Sequence, residues 1–254
     1  MSVAEIFAAV ADRRYKKMKG LFITFEGSEG CGKSTQVELL ERRLRALSYR
    51  VRTLREPGGT PIGEEIRYTL KHSKNNAAMT FETELLLMNA SRAQLVRETI
   101  RPALTAGEIV LCDRFYDSTV AYQGYGRGLD LELVKSVTDF AVGDTRPNMT
   151  LLLSVPIEIS ESRRLSRKQS VLLEVPPESK KPETHAKLPF SEPLRDRMEE
   201  ADRSFFERVM KGFEAIAAAE PQRVRLINGI KPVNIVCEEI WEAVRPILPR
   251  VGRW

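Results

Sequence analysis

Residues 27–34, GSEGCGKS, gather three glycines, a lysine and two serines within eight positions. Glycine opens backbone conformations closed to other residues and leaves no side chain between the main chain and a ligand, so Gly27, Gly30 and Gly32 let the chain wrap an anion. The spacing fits G-x-x-x-x-G-K-[ST], in which backbone N–H groups cradle phosphates, Lys33 reaches the terminal ones and the Ser34 hydroxyl binds Mg²⁺. Ser28, Cys31 and Thr35 belong to the same phosphate-binding P-loop. Glu29 does not fit that purpose, because a carboxylate beside phosphate-binding amides is repelled unless it serves another ligand.

Two later stretches carry charges of the same kind. Arg55 closes an apolar run and precedes the proline-stiffened turn Glu56-Pro57-Gly58-Gly59-Thr60-Pro61. An arginine there can grip a phosphate as a bidentate fork, or it can be a solvated strand-end residue. Asp113-Arg114 follows the apolar Leu111-Cys112. An acid at a strand tip beside a P-loop can join the Mg²⁺ shell, and the arginine next to it can hold a second phosphoryl group. Donor and acceptor phosphates in one site make a phosphotransferase.

The elements that must position these residues alternate along the chain. Short β-branched, apolar runs at about 21–26, 50–54, 109–112, 149–154 and 223–227 are separated by amphipathic segments. Helical periodicity is clearest at about 33–47, 80–101, 130–141, 195–218 and 233–247. Such alternation predicts an α/β fold, a parallel sheet wrapped by helices. Glu26, Arg55, Asp113 and Ser154 then all end strands on the carboxyl edge, where open α/β sheets bind ligands. A helix starting at Lys33 would aim its N-terminal dipole at the phosphates. Between Arg167 and Leu194 the rhythm breaks, with five prolines and clustered charge, as expected of a lid or surface insertion.

The whole chain, 254 residues, is long enough to bury a substantial core as one domain with an insertion. No apolar run approaches the roughly 20 residues of a membrane span. The start, MSVAEIFAAVADRRYKKMKG, places its basic residues after the apolar ones, the reverse of a signal peptide, so the expectation is a cytoplasmic protein with residues 1–18 as an extension. Three cysteines and two histidines argue against a disulfide framework or a Cys/His metal site. Cys31 and Cys112 flank chemistry and could be modifiable thiols, but small buried packing residues explain them better. The net charge of +5 is spread over short motifs rather than a basic stripe, which favours small phosphorylated ligands over nucleic acid.

GSEGCGKST, REPGGTPIGEEIR, LCDRFYDSTVAYQGYGR and SFFERVMKGFEAIA, in that order, resemble the thymidylate kinase family over residues 19–247, with a lid and insertion at about 160–195 and a tail at 248–254. The resemblance implies a three-layer P-loop kinase fold with a five-stranded parallel sheet, Mg²⁺-dependent transfer from ATP to dTMP, and a homodimer. It implies that residues 27–35 bind ATP, and that Glu29 faces the sugar 3′-hydroxyl of the acceptor. Arg55 and Arg114 would hold the acceptor phosphate, Asp113 would stand near the metal, and Ser118 and Gln123 would contact the thymine. Met88 and Arg92, four apart on one helix face, would lie over the base and on its edge, although Met88 replaces a common phenylalanine and can also be a plain core residue. Arg163 and Arg167, one turn apart with Arg164 between them, would belong to the lid that closes on ATP; a solvated helix face is the alternative. A kinase for another pyrimidine nucleotide and a nucleotide-binding regulator without transfer activity are the competing readings.

Overall fold

A computed structural model describes residues 20–73, 75–173 and 202–249 of the chain, with residues 164 and 167–173 as backbone alone. Five strands, β1 (Leu21–Glu26), β2 (Val51–Arg55), β3 (Ile109–Asp113), β4 (Met149–Ser154) and β5 (Val224–Asn228), form one sheet in the order β2-β3-β1-β4-β5. Every pairing is parallel. β1 is buried along its whole length, as a central strand covered on both faces must be, which is why LFITFE reads as a run rather than an alternation. Each strand prediction lies within a residue of the observed strand.

Alternate β1 side chains feed two cores. Leu21, Ile23 and Phe25 pack with Leu40 and Leu44 of α1 (Lys33–Ala46) and with Ile240 and Trp241 of α8 (Val233–Val244). Phe22 turns to the opposite face, against Leu95 and Ile100. On that face lie α3 (Phe81–Leu95), α4 (Tyr116–Thr119), α5 (Leu131–Val142) and α7 (Arg203–Ala219). α2 (Pro61–His72) follows β2, and α6 (Ile157–Leu173) follows β4.

The sequence-based helix limits need three corrections. The turn after Arg55 leads directly into α2, whose Thr60 side chain accepts from Gly63 N at 3.0 Å while Pro61 opens the first turn, a start signal present in the sequence but not used. The helix expected at 80–101 is α-helical only to Leu95, widens into a π-turn at Val96–Ile100 and resumes at Arg101–Thr105. Pro102 has no N–H and its ring crowds the preceding turn, which a π-bulge relieves. The helix expected at 195–218 begins at Arg203 among the described residues, capped by Asp202. Residues 1–18, most of the insertion and tail, and Asp196-Arg197-Met198-Glu199 lie outside the described residues.

A buried polar network joins the two halves of the opposite face. Arg223 donates to both carboxylate oxygens of Asp117, at 2.7 and 2.8 Å, and to Thr150 Oγ1 at 2.6 Å. Thr150 in turn pairs with Thr24 at 2.8 Å. Asp117 is thereby fixed one residue before Ser118, so the network holds α4 against β4 and β5. Breaking a buried pair from one side leaves an uncompensated charge. Asp117→Ala should therefore lower stability by about 3 kcal/mol or more in urea unfolding, a change under about 1 kcal/mol contradicting this role.

Candidate functional site: a nucleotide cleft at the carboxyl edge

The P-loop links β1 to α1. Gly27, Gly30 and Gly32 have φ of 130°, 77° and 99°. At Gly27 a Cβ would also fall 2.3 Å from the Leu153 carbonyl oxygen, so both conformation and space require glycine there. Gly32 caps α1 without a side-chain acceptor, leaving the first-turn N–H groups for an anion. Lys33 Nζ donates to the Gly27 and Ser28 carbonyls at 3.1 and 2.8 Å, spanning the mouth of the loop. Cys31 and Cys112 are buried, and burial holds the Cys112 thiol well above its ordinary pKa, which favours a packing role for Cys112.

Sheet register brings the other charges to this loop. Arg55 pairs with Asp113 across β2 and β3, and Phe25 with Asp113 across β1 and β3. Ser34 Oγ donates to Asp113 Oδ2 at 2.7 Å, so the hydroxyl and the carboxylate converge from α1 and β3. These are hard oxygen donors of the kind Mg²⁺ accepts alongside phosphates. Among the described residues no group of three or more His, Cys, Asp or Glu is placed to hold a metal ion.

Arg114 links the loop to α4. Its φ of 69° lies in the left-handed region, a strained conformation for a residue with a side chain. From there its guanidinium donates to Gly27 O and Ser118 Oγ, each at 3.1 Å, and to Tyr122 Oη at 3.3 Å. Glu29 Oε1 lies 3.5 Å away, and the Tyr122 ring is 5.0 Å from the guanidinium carbon. The Glu29 carbonyl accepts from Ser160 Oγ at 2.7 Å, tying the loop to α6.

One cavity of about 660 Å³ runs through all of these, within the range of small-ligand sites. Arg55, Met88, Arg92, Ser118 and Gln123 line it together with Lys33, Ser34, Asp113 and Arg114. Arg55 Nη2 meets Glu64 at 3.0 Å. Arg92, buried, donates to Glu56 Oε2 at 2.8 Å, Asn89 Oδ1 at 2.9 Å and the Phe115 carbonyl at 3.2 Å. Met88 is half-buried, packs against the α7 aromatic cluster and also lines the cavity. Arg163 donates to the Gly229 carbonyl at 3.2 Å, and to Gly30 at 3.4 Å, on the opposite rim with Lys231 and Val233. Arg167 lies on α6, but its side chain is outside the described residues.

Sequence reasoning missed several neighbours. Thr119 and Tyr122 line the cavity, and Glu56 holds Arg92. Thr119 and Tyr122 lie inside the quoted segment and were legible as flanking residues, but Glu56 carried no signal of its own. Glu26, noted only as a strand end, is fully buried and accepts from Phe115 N at 2.7 Å, Ser118 N at 3.3 Å and Ser118 Oγ at 2.5 Å. Burial, reinforced by the Asp117 charge, pushes its pKa up to about 8, against the pull of Ser118 and Arg114. With the folded value above the unfolded one, its stabilising proton uptake is full below about pH 4.5 and is lost as pH rises towards 8. The melting temperature should thus fall across that window more steeply in the parent than in Glu26→Gln; parallel pH profiles would refute the assignment.

Comparison with known proteins agrees with this geometry. The family model described as thymidylate kinase matches residues 25–240. The thymidylate kinase of Geobacter sp. strain M21 is 42% identical over 234 residues, covering 92% of this chain and 95% of that protein. That of Deinococcus radiodurans is 42% identical over 228 residues, covering 89% and 97%. The crystal structure of thymidylate kinase from Ehrlichia chaffeensis superposes with a TM-score of 0.65 at 31% identity, covering 89% of this chain and 98% of that one. With its P-loop, its Asp113-Arg114 pair and its sheet order in place, the chain belongs to the thymidylate kinase family.

Proposed function

We propose that this protein transfers the γ-phosphoryl group of ATP to dTMP, giving ADP and dTDP. The observation that carries the reading is Arg114: one guanidinium touches the P-loop carbonyl of Gly27 and the Ser118 hydroxyl in the same cavity, so phosphate-binding and acceptor-binding walls meet at a single cation. The acceptor phosphate oxygen attacks the γ-phosphorus in line, and the bond to the bridging oxygen of ADP breaks. No general base is required, because the attacking oxygen is already anionic. Catalysis then consists of positioning and charge stabilisation.

Each residue has a part in that scheme. The P-loop amides of residues 27–35 and Lys33 hold the ATP phosphates, and Lys33 exchanges its loop carbonyls for phosphate oxygens. Arg114 and Arg55 aim the acceptor phosphate, with Glu29 beside Arg114 serving the sugar hydroxyl. Arg163 and Arg167 supply lid charge from α6. Ser34 and Asp113 would hold Mg²⁺, which when bound neutralises phosphate charge. Met88, Arg92, Ser118 and Gln123 form the base wall.

The assembly proposed is a cytoplasmic homodimer. No helix among the described residues is long and apolar enough to cross a membrane. Leu131, Leu133 and Phe140 are exposed on α5, the last at 82%, which supports a self-association face there. Sedimentation velocity should give a species of twice 28.8 kDa, and a monomer at micromolar concentration would reject the dimer.

Steady-state ADP release with MgATP and dTMP, dUMP, UMP, CMP or no acceptor tests the reaction. Turnover should depend on acceptor and favour dTMP, and Lys33→Ala should lower it by about 10²–10³-fold. ATP binding without acceptor-dependent turnover would instead favour a regulatory role.

A further inference from the structure

Behind the base wall stands a charged pair with no part in phosphate handling. Glu84 of α3 is 1% exposed at its side chain. Its carboxylate accepts from Arg127 Nε and Nη2 at 3.1 and 3.0 Å and from Gln123 Nε2 at 2.9 Å. Burying a carboxylate is costly, and a glutamine in a cavity wall needs no such partner to pack. What the contact does is orient. The two ends of an amide have nearly the same shape, and which one faces a ligand depends on hydrogen-bond partners. A carboxylate only accepts, so Gln123 must turn its NH₂ to Glu84, and its carbonyl oxygen is held away from that group.

The neighbouring reader is polarised in the opposite sense. Arg92 is a donor only, and its guanidinium is clamped by Glu56, Asn89 and the Phe115 carbonyl. A donor beside an acceptor matches a pyrimidine carrying a carbonyl at position 4 and N–H at position 3. Cytosine presents an amino group and a bare nitrogen there, so donor would meet donor and acceptor would meet acceptor. We infer that Glu84, pinned by Arg127, is a positioning residue that fixes the Gln123 amide with its carbonyl oxygen toward the cavity, so that the base wall accepts keto pyrimidines and rejects cytosine. This rests on the reading that the cavity takes a nucleoside monophosphate by its base.

Calorimetric affinities for dTMP, dUMP and dCMP, taken beside turnover on the full chain, test it. The parent should bind dTMP and dUMP about tenfold or more tighter than dCMP. Glu84→Gln frees the amide to flip and should bring the dTMP-to-dCMP ratio down about tenfold. The exchanged pair Glu84→Gln with Gln123→Glu again leaves an acceptor for the base and should restore the ratio. Equal loss for both ligands without restoration would make Glu84 a mere packing residue and overturn the inference. Should Glu84→Gln fail to fold, Arg127→Met unpins the carboxylate in place and should lower the ratio partially; an unchanged ratio refutes the inference. Discrimination in binding without turnover on any acceptor would count against the kinase reading while leaving the orientation standing.

Discussion

A carboxyl group buried at the end of the central strand sets the terms for the rest of the site. Glu26 has no water to face, so three donors from the chain segment after β3 must satisfy it: two backbone N–H groups and the Ser118 hydroxyl. Those bonds fix where α4 begins. Two residues, Arg114 and Phe115, join α4 to β3, and Arg114 makes the connection through left-handed backbone. The strain on Arg114 is offset by what its guanidinium reaches, the P-loop carbonyl on one side and Ser118 and Tyr122 on the other. A single buried acid thus aligns the P-loop with the cavity wall around Ser118.

Charge in this cleft is arranged in pairs. Glu56 lines the cavity beside Arg92 and is paired with it, and Arg127 is paired with Glu84. Buried ion pairs contribute little net stability, since desolvation consumes much of the attraction. Their value here is geometric. A guanidinium or an amide with its outer hydrogen bonds already made has fewer orientations to lose when ligand binds, so less entropy opposes recognition.

How far the sequence speaks depends on the range of the interaction. The inner strands were legible because a doubly covered parallel strand must be apolar throughout, as 21–26 and 149–154 show, whereas the edge strands β2 and β5, exposed over much of their length, were legible only as short β-branched runs. α2 was hidden by its own start, since Glu-Pro-Gly-Gly-Thr-Pro reads as a turn and only the Thr60 cap with Pro61 marks a helix. The π-turn before Pro102 was invisible for another reason: the apolar period continues across it while the hydrogen-bond pattern changes.

The sequence by itself determined the chemistry at hand: an anion loop with Lys33 and Ser34, an acid-arginine pair at a strand tip, and arginines spaced by one helical turn. These signals are local, because backbone conformation and residue type within eight or so positions suffice to make them. Only the tertiary structure decided that Glu56 would clamp Arg92, that Glu84 and Arg127 would turn Gln123, and that Glu26 would lie unhydrated beneath Ser118. Those partners are 36, 39 and 92 residues apart. Which carboxylate meets which donor at such separation follows from strand order and burial, and no spacing along the chain encodes it.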